Sequence, residues 1–175
     1  NLSRDQILYL IQRLVELDER ADVIIVDTGA GISDAVLEFI AASQEVLLIV
    51  TPEPTSITDA YALLKTMHRR DDCINSDISF RLIANRTETA KEGFEIYKRL
   101  NIVSSKFLDL DLEYLGAIPY DNNVSKSIIQ QKPASILYPY SVFTKSIVEI
   151  AEKVYTNNND KKKGLAQIFS NLLKQ

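Results

Sequence analysis

The chain has 175 residues, enough for one domain with a real core. It is 46% apolar and 25% charged with a net charge of −4, an ordinary soluble composition that gives no general reason to expect nucleic-acid binding. Cys73 and His68 are the sole cysteine and histidine, so neither an intrachain disulfide nor a clustered Cys/His zinc site can form, and no apolar run is long enough to span a membrane.

Asn1 opens directly into an amphipathic pattern, with neither an initiator Met nor a signal peptide, and we expect a piece of a longer protein. Ile7, Leu10, Ile11, Leu14, Val15 and Leu17 fall mostly at helical spacing over 4–19. Residues 22–27 carry the run Val23-Ile24-Ile25-Val26, which predicts a parallel strand buried on both faces. Asp27 closes it, and Gly29 and Gly31 follow at once. In open α/β sheets ligands sit beyond the carboxyl ends of strands, so a carboxylate here is placed to hold a metal-bound phosphate. A hydrated strand end followed by a glycine turn accounts for the same letters.

Ser33 or Asp34 caps a helix striped by Val36, Leu37, Ile40 and Ala41. Val46–Val50 reads as a second buried strand, and Pro52 and Pro54 force a turn after it. Ser56-Ile57-Thr58-Asp59 matches a capping box, opening a helix with Ile57, Ala60, Tyr61, Leu64 and Met67 on one face. After a polar loop over 69–76, Ile78–Ala84 makes a third strand ending at Asn85-Arg86. A helix near 89–105 buries Phe94, Tyr97 and Leu100, and Leu115–Ile118 is a short fourth strand closed by Pro119-Tyr120-Asp121. A short helix with Val124, Ile128 and Ile129 stops near Pro133. The last core helix starts near Ser141 and packs Phe143, Ile147, Ile150, Ala151 and Val154. Strands alternating with helices predict an α/β fold, a mostly parallel sheet flanked by helices.

The core is expected over 1–155, with a polar linker at 156–160. Beyond it Lys161, Lys162 and Lys163 precede Leu165, Ile168, Phe169, Leu172 and Leu173, which form one helical stripe over 161–175. A basic cluster leading into an amphipathic helix suits an anionic membrane surface, or else docks on the core or a second subunit. One such helix binds weakly, and a dimer presenting two would gain by avidity. The glycines stand at 29, 31, 93, 116 and 164, and none is followed by lysine, so the sequence contains no Walker A loop.

Several segments together resemble the MinD/ParA group of deviant Walker-A ATPases, and within it the FlhG family of flagellar-number regulators, also called YlxH or FleN. DTGAGIS at 27–33 is similar to the switch II and Walker B segment, although MinD has proline where this chain has Gly29. TPEPTSITDAYALLK at 51–65 is the most specific match, Asn85-Arg86 matches the adenine-side asparagine, and LGAIPYD at 115–121 matches the loop that closes over the base. The tail resembles the family's membrane-targeting helix.

The resemblance implies a P-loop NTPase-like fold of the SIMIBI/MinD type, here without the P-loop strand, and a cytoplasmic ATPase peripheral to the inner face of a bacterial cell membrane. ATP and Mg²⁺ are the implied cofactors of the intact protein, with no tight binding expected of this chain alone. Asp27 would position Mg²⁺ through water, while Thr28, Gly29, Ala30 and Gly31 would sense the γ-phosphate by rearranging. Asn85 could offer both a donor and an acceptor to adenine, with Arg86 nearby, and Pro119 and Asp121 would flank the base. The implied partners are a second copy when ATP is bound, an FlhF-like GTPase and flagellar switch-complex proteins, with no specific nucleic acid. A ParA-like partition ATPase, a tyrosine autokinase of the same fold and a nucleotide-independent adaptor are the competing readings. Without the P-loop strand, apolar sheet edges should be exposed and could drive oligomerisation.

Overall fold

The computed structural model describes residues 6, 9, 10, 13, 21–70 and 78–158. The tail at 161–175, with Lys161 to Lys163 and the Leu165–Leu173 stripe, and most of the first predicted helix lie outside them. Nine elements follow in order among the described residues: α1 (Asp34–Ala41), β1 (Glu45–Val50), α2 (Pro54–His68), β2 (Ser79–Thr87), α3 (Ala90–Leu108), β3 (Glu113–Pro119), α4 (Asn122–Ile129), α5 (Ala134–Leu137) and α6 (Val142–Asn158). The described strands form one sheet in the order β1-β2-β3. The architecture is α/β, a parallel sheet flanked by helices, as the alternation of patterns predicts.

One predicted strand is missing. Residues 22–27 adopt no regular structure, and Ile25 is 79% exposed. A run of β-branched residues becomes a buried strand only where a neighbour takes its backbone groups and other elements cover both faces. Neither condition is met at 22–27. The same logic divides β1: Leu48 and Val50 are buried, whereas Leu47 and Ile49 are exposed, so this strand is covered on one face rather than two.

The chain divides into two compact units. One holds the described residues up to Val46 and those between Ala62 and Ser79. Val36, Leu37, Ile40 and Ala41 of α1 are buried there, as are Leu64 and Met67. Arg70 Nη2 reaches Glu38 Oε1 at 3.0 Å, tying the segment after α2 to α1. Ser33 occupies the N-cap of α1, but its side chain makes no capping bond.

The second unit holds Leu47–Tyr61 and the described residues from Phe80 to Asn158. Helix α2 begins at Pro54, two residues before the predicted capping box. Proline at a first helical position loses no hydrogen bond, and its fixed φ is already helical. The Ser56 hydroxyl instead accepts the Thr51 N–H at 3.0 Å, fastening the turn that follows β1. Thr89 caps α3 by accepting the Glu92 N–H at 3.1 Å, while the Glu92 carboxylate accepts the Glu88 N–H at 2.7 Å. Thr89-Ala90-Lys91-Glu92 has the spacing of a capping box, but the Glu92 carboxylate returns to the N–H of Glu88, one residue before the cap.

Strands β2 and β3 run parallel with Arg81 opposite Glu113 and Ala84 opposite Ala117. Helix α3 lies close on the sheet through Gly93, where an added Cβ would sit 2.7 Å from the Ala117 Cβ and 3.1 Å from the Ala84 Cβ. Ile83, Leu115, Ile118 and Ile150 form a core cluster with Phe143, Ile147 and Val154 packed against it. Ala151 is exposed, unlike the other predicted core positions of α6. Phe94 is likewise exposed rather than buried, because it closes a triangle with Tyr97 and Tyr114 whose outer face carries the Lys98 ammonium at 4.8 Å. Helix α6 continues to Asn158, so Thr156, Asn157 and Asn158 are helical rather than part of an extended linker.

Candidate functional site

The carboxyl ends of β2 and β3 open onto a cleft of about 730 Å³. Its wall comprises Glu88–Ala90 at the start of α3, Pro119–Asn123 at the start of α4 and Tyr140–Val142 at the start of α6. Three helix N-termini therefore meet at one opening. Such ends attract anions when their amide hydrogens are free, but here each carries its own cap. Thr89 caps α3, and Asp121 Oδ1 accepts the Asn123 N–H at 2.8 Å. Ser141 Oγ accepts the Thr144 N–H at 3.2 Å. With one amide engaged at each helix start and Glu88 and Asp121 on the wall, the cleft favours an anion less than three uncapped helix ends would.

Asp121 does more than close a turn. Its second oxygen lies 3.4 Å from the Phe143 backbone nitrogen, so one carboxylate serves the starts of both α4 and α6. The Asn123 N–H holds the Asp121 carboxyl below the usual carboxylate range, with Phe143, Ser141 and Lys126 adding to the effect and burial opposing it. The Tyr120 N–H donates to the Thr87 carbonyl at 2.9 Å, which fixes the two strand ends side by side.

At the end of β2 the ladder slips: Asn85 pairs with Ile118 and Thr87 with Pro119, leaving Arg86 as a bulge. Arg86 has φ of 57°, the left-handed region that a branched or long residue rarely adopts. The Asn85 Oδ1 accepts the Arg86 N–H at 2.9 Å and holds that conformation. One lone pair of Asn85 is thereby engaged, while its amide N–H₂ and the other lone pair remain for a ligand. Asn85 is half-buried and Arg86 exposed. The Thr51 hydroxyl and the backbone of Glu53 itself hold the Glu53 carboxyl below its ordinary range, and the charge of Arg86 contributes further.

Of the predicted nucleotide residues, Pro119 and Asp121 line the cleft, while Asn85 and Arg86 lie on the neighbouring strand end and are not on its wall. Thr89, Asn122, Asn123, Tyr140 and Ser141 line it as well. The Thr89-x-x-Glu92 box and the Tyr138-Pro139-Tyr140-Ser141 turn were the available signals for them. Asp27, Thr28, Gly29, Ala30 and Gly31 belong to the other unit and are all exposed. Among the described residues no group of three His, Cys, Asp or Glu side chains could hold a metal ion.

The chain is 41% identical to the antiactivator FleN of Pseudomonas aeruginosa over 154 residues, covering 88% of this chain and 54% of FleN. It is 37% identical to the flagellum site-determining protein YlxH of Helicobacter pylori over 159 residues, covering 87% of this chain and 52% of YlxH. The cell-division ATPase MinD of Pyrococcus furiosus superposes with a TM-score of 0.66 at 17% identity, over 89% of this chain and 63% of that structure. A ParA family ATPase of Chlorobium tepidum gives 0.59 at 22% identity, over 85% and 59%. This chain is a homologue of FleN and YlxH with a MinD/ParA-like fold. It spans about half the length of the relatives it matches. No protein-family model matches it.

Proposed function

We propose that this chain is the base-side part of an ATP-controlled, dimerising ATPase switch that sets the number or placement of bacterial flagella. The observation that carries this reading is the 41% identity to FleN across 88% of the chain. The cleft supports it chemically. Its capped helix ends and its acidic wall suit a base and sugar rather than a polyphosphate, and Asn85 stands at the adjoining strand end with a free amide group.

In this reading Asn85 donates to the adenine ring, Pro119 packs on its face and Asp121 keeps the closing loop in register with α4 and α6. The Asp27–Gly31 segment acts with groups outside this chain, as the switch that responds to the nucleotide's phosphates. The dimer associates peripherally with the cell membrane through the 161–175 helix, and its partners are an FlhF-like GTPase and the flagellar switch complex. The present chain alone neither binds ATP tightly nor turns it over.

Full-length protein tests this. Asn85→Ala should weaken the preference for adenine over guanine nucleotides by roughly tenfold, the scale of one lost charge-free hydrogen bond. Asp27→Ala should abolish phosphate release while leaving circular dichroism unchanged. Retained turnover in Asp27→Ala would reduce that residue to an exposed loop position, and unchanged base preference in Asn85→Ala would remove the cleft from the reading.

A further inference from the structure

From Asn122 to Val148 there is no acidic residue, although the chain as a whole carries a net charge of −4. The charged positions in that stretch are Lys126, Lys132 and Lys145, and all three are exposed. The same stretch exposes its largest apolar side chains to an unusual degree. Ile128 is 70% exposed, Ile129 83%, Ile136 71% and Tyr140 86%, with Val142 also open to solvent. Single exposed apolar residues are ordinary, but four large ones inside the thirteen positions from Ile128 to Tyr140, interleaved with lysine, are not. Helix α4 buries Ser127 while its two terminal isoleucines face water, the reverse of what folding alone selects.

We propose that the Ile128–Tyr140 segment, spanning the end of α4, the link through Lys132 and all of α5, is a contact surface for an anionic lipid bilayer. It is separate in sequence from the amphipathic stripe at 161–175. Charge selects this occupant. Lys126 and Lys132 flank the isoleucines; Asp121, just before the stretch, faces Lys126 and offsets part of its charge, but no carboxylate within the stretch opposes Lys132, which matches anionic headgroups, whereas a second copy would bring lysine against lysine. Shape selects it too. None of the three isoleucines lines the cleft; they protrude, and protruding apolar side chains enter a soft acyl boundary rather than gripping a peptide, which requires a groove. Tyr140, which also lines the rim of the cleft, supplies the amphipathic ring favoured at headgroup depth. Because one short amphipathic helix holds a membrane only weakly, a second contact on the folded body makes the attachment stable and fixes which face meets the lipid.

The test uses the whole chain with Cys73→Ser and Ile129→Cys, labelled at position 129 with an environment-sensitive fluorophore. Phosphatidylglycerol vesicles should raise and blue-shift its emission, phosphatidylcholine vesicles should not, and a label at Lys91→Cys on α3 should stay unchanged. Lys126→Gln with Lys132→Gln should lower affinity for the anionic vesicles by about thirtyfold at low salt. Phe169→Glu with Leu172→Glu, which cripples the tail, should weaken binding but leave the spectral response of bound protein intact. If protein sediments with vesicles while position 129 stays wet, the tail alone binds and this surface is overturned. An equal response to phosphatidylcholine overturns the charge assignment. A shift without vesicles that grows with protein concentration, or appears with polyglutamate, assigns the surface to a second copy or an acidic polypeptide and overturns the lipid.

Discussion

Arg86 holds a left-handed backbone that glycine would adopt without strain. Arg86→Gly should therefore raise unfolding stability by about 1 kcal/mol in urea melts, provided the side chain contributes little to the fold. A loss instead would mean that its attraction to Glu53 outweighs the strain. Asp121 makes the opposite case. Its carboxyl titrates below the ordinary value of 3.8, so its contribution is fully present above that pH and is lost as pH falls through the lower folded value. Asp121→Ala should cost about 1 kcal/mol at neutral pH, the usual worth of an N-cap, and Asp121→Asn should flatten the acid limb of stability against pH. Acid titrations followed by circular dichroism would distinguish the two. Pro119 and Asp121 were legible in the sequence because proline and aspartate at a strand end carry their turn chemistry locally. The Arg86 bulge was not, since it depends on which strand lies alongside.

Among elements, helix α3 shows most directly how close packing positions the site, because its first turn forms one wall of the cleft. Gly93→Ala would place a methyl group 2.7 Å from the Ala117 Cβ, which is fixed to β3 and cannot swing away. Despite the better helix propensity of alanine, the variant should lose about 1–2 kcal/mol and melt several degrees lower. The α6 pattern was readable because one helical face supplies most of its packed positions, whereas in α3 only Leu100 of the expected Phe94, Tyr97 and Leu100 is buried, and Ile96 and Leu108 fill the rest of the buried face. The run at 22–27 reads as a strand and is not one, for a reason that also applies to the outer face of β1. Apolar letters report a capacity to be covered, and the covering partner is not written in the same segment.

For the whole molecule, the family resemblance was legible because its marks are discontinuous motifs in fixed order, and the likeness to FleN and YlxH bears it out. Residues 161–175 lie outside the described residues, and their amphipathic stripe is read from the sequence. Removing them should sharply weaken sedimentation with anionic vesicles, and undiminished binding would assign the anchor elsewhere. Any such anchor pulls on α6, and the connections of α6 to the sheet then acquire a mechanical meaning. Lys153 Nζ donates to the Leu115 carbonyl at 2.6 Å, and the buried Arg81 guanidinium, paired with Glu113 at 3.0 Å, reaches the Lys153 carbonyl at 3.5 Å. Tension applied at the carboxyl end of α6 is borne first by this junction and passes into β2 and β3 before it can peel Ile150 from the core. A drag force on a tethered molecule would thus load the sheet, its stiffest part, and leave the loops around the cleft slack.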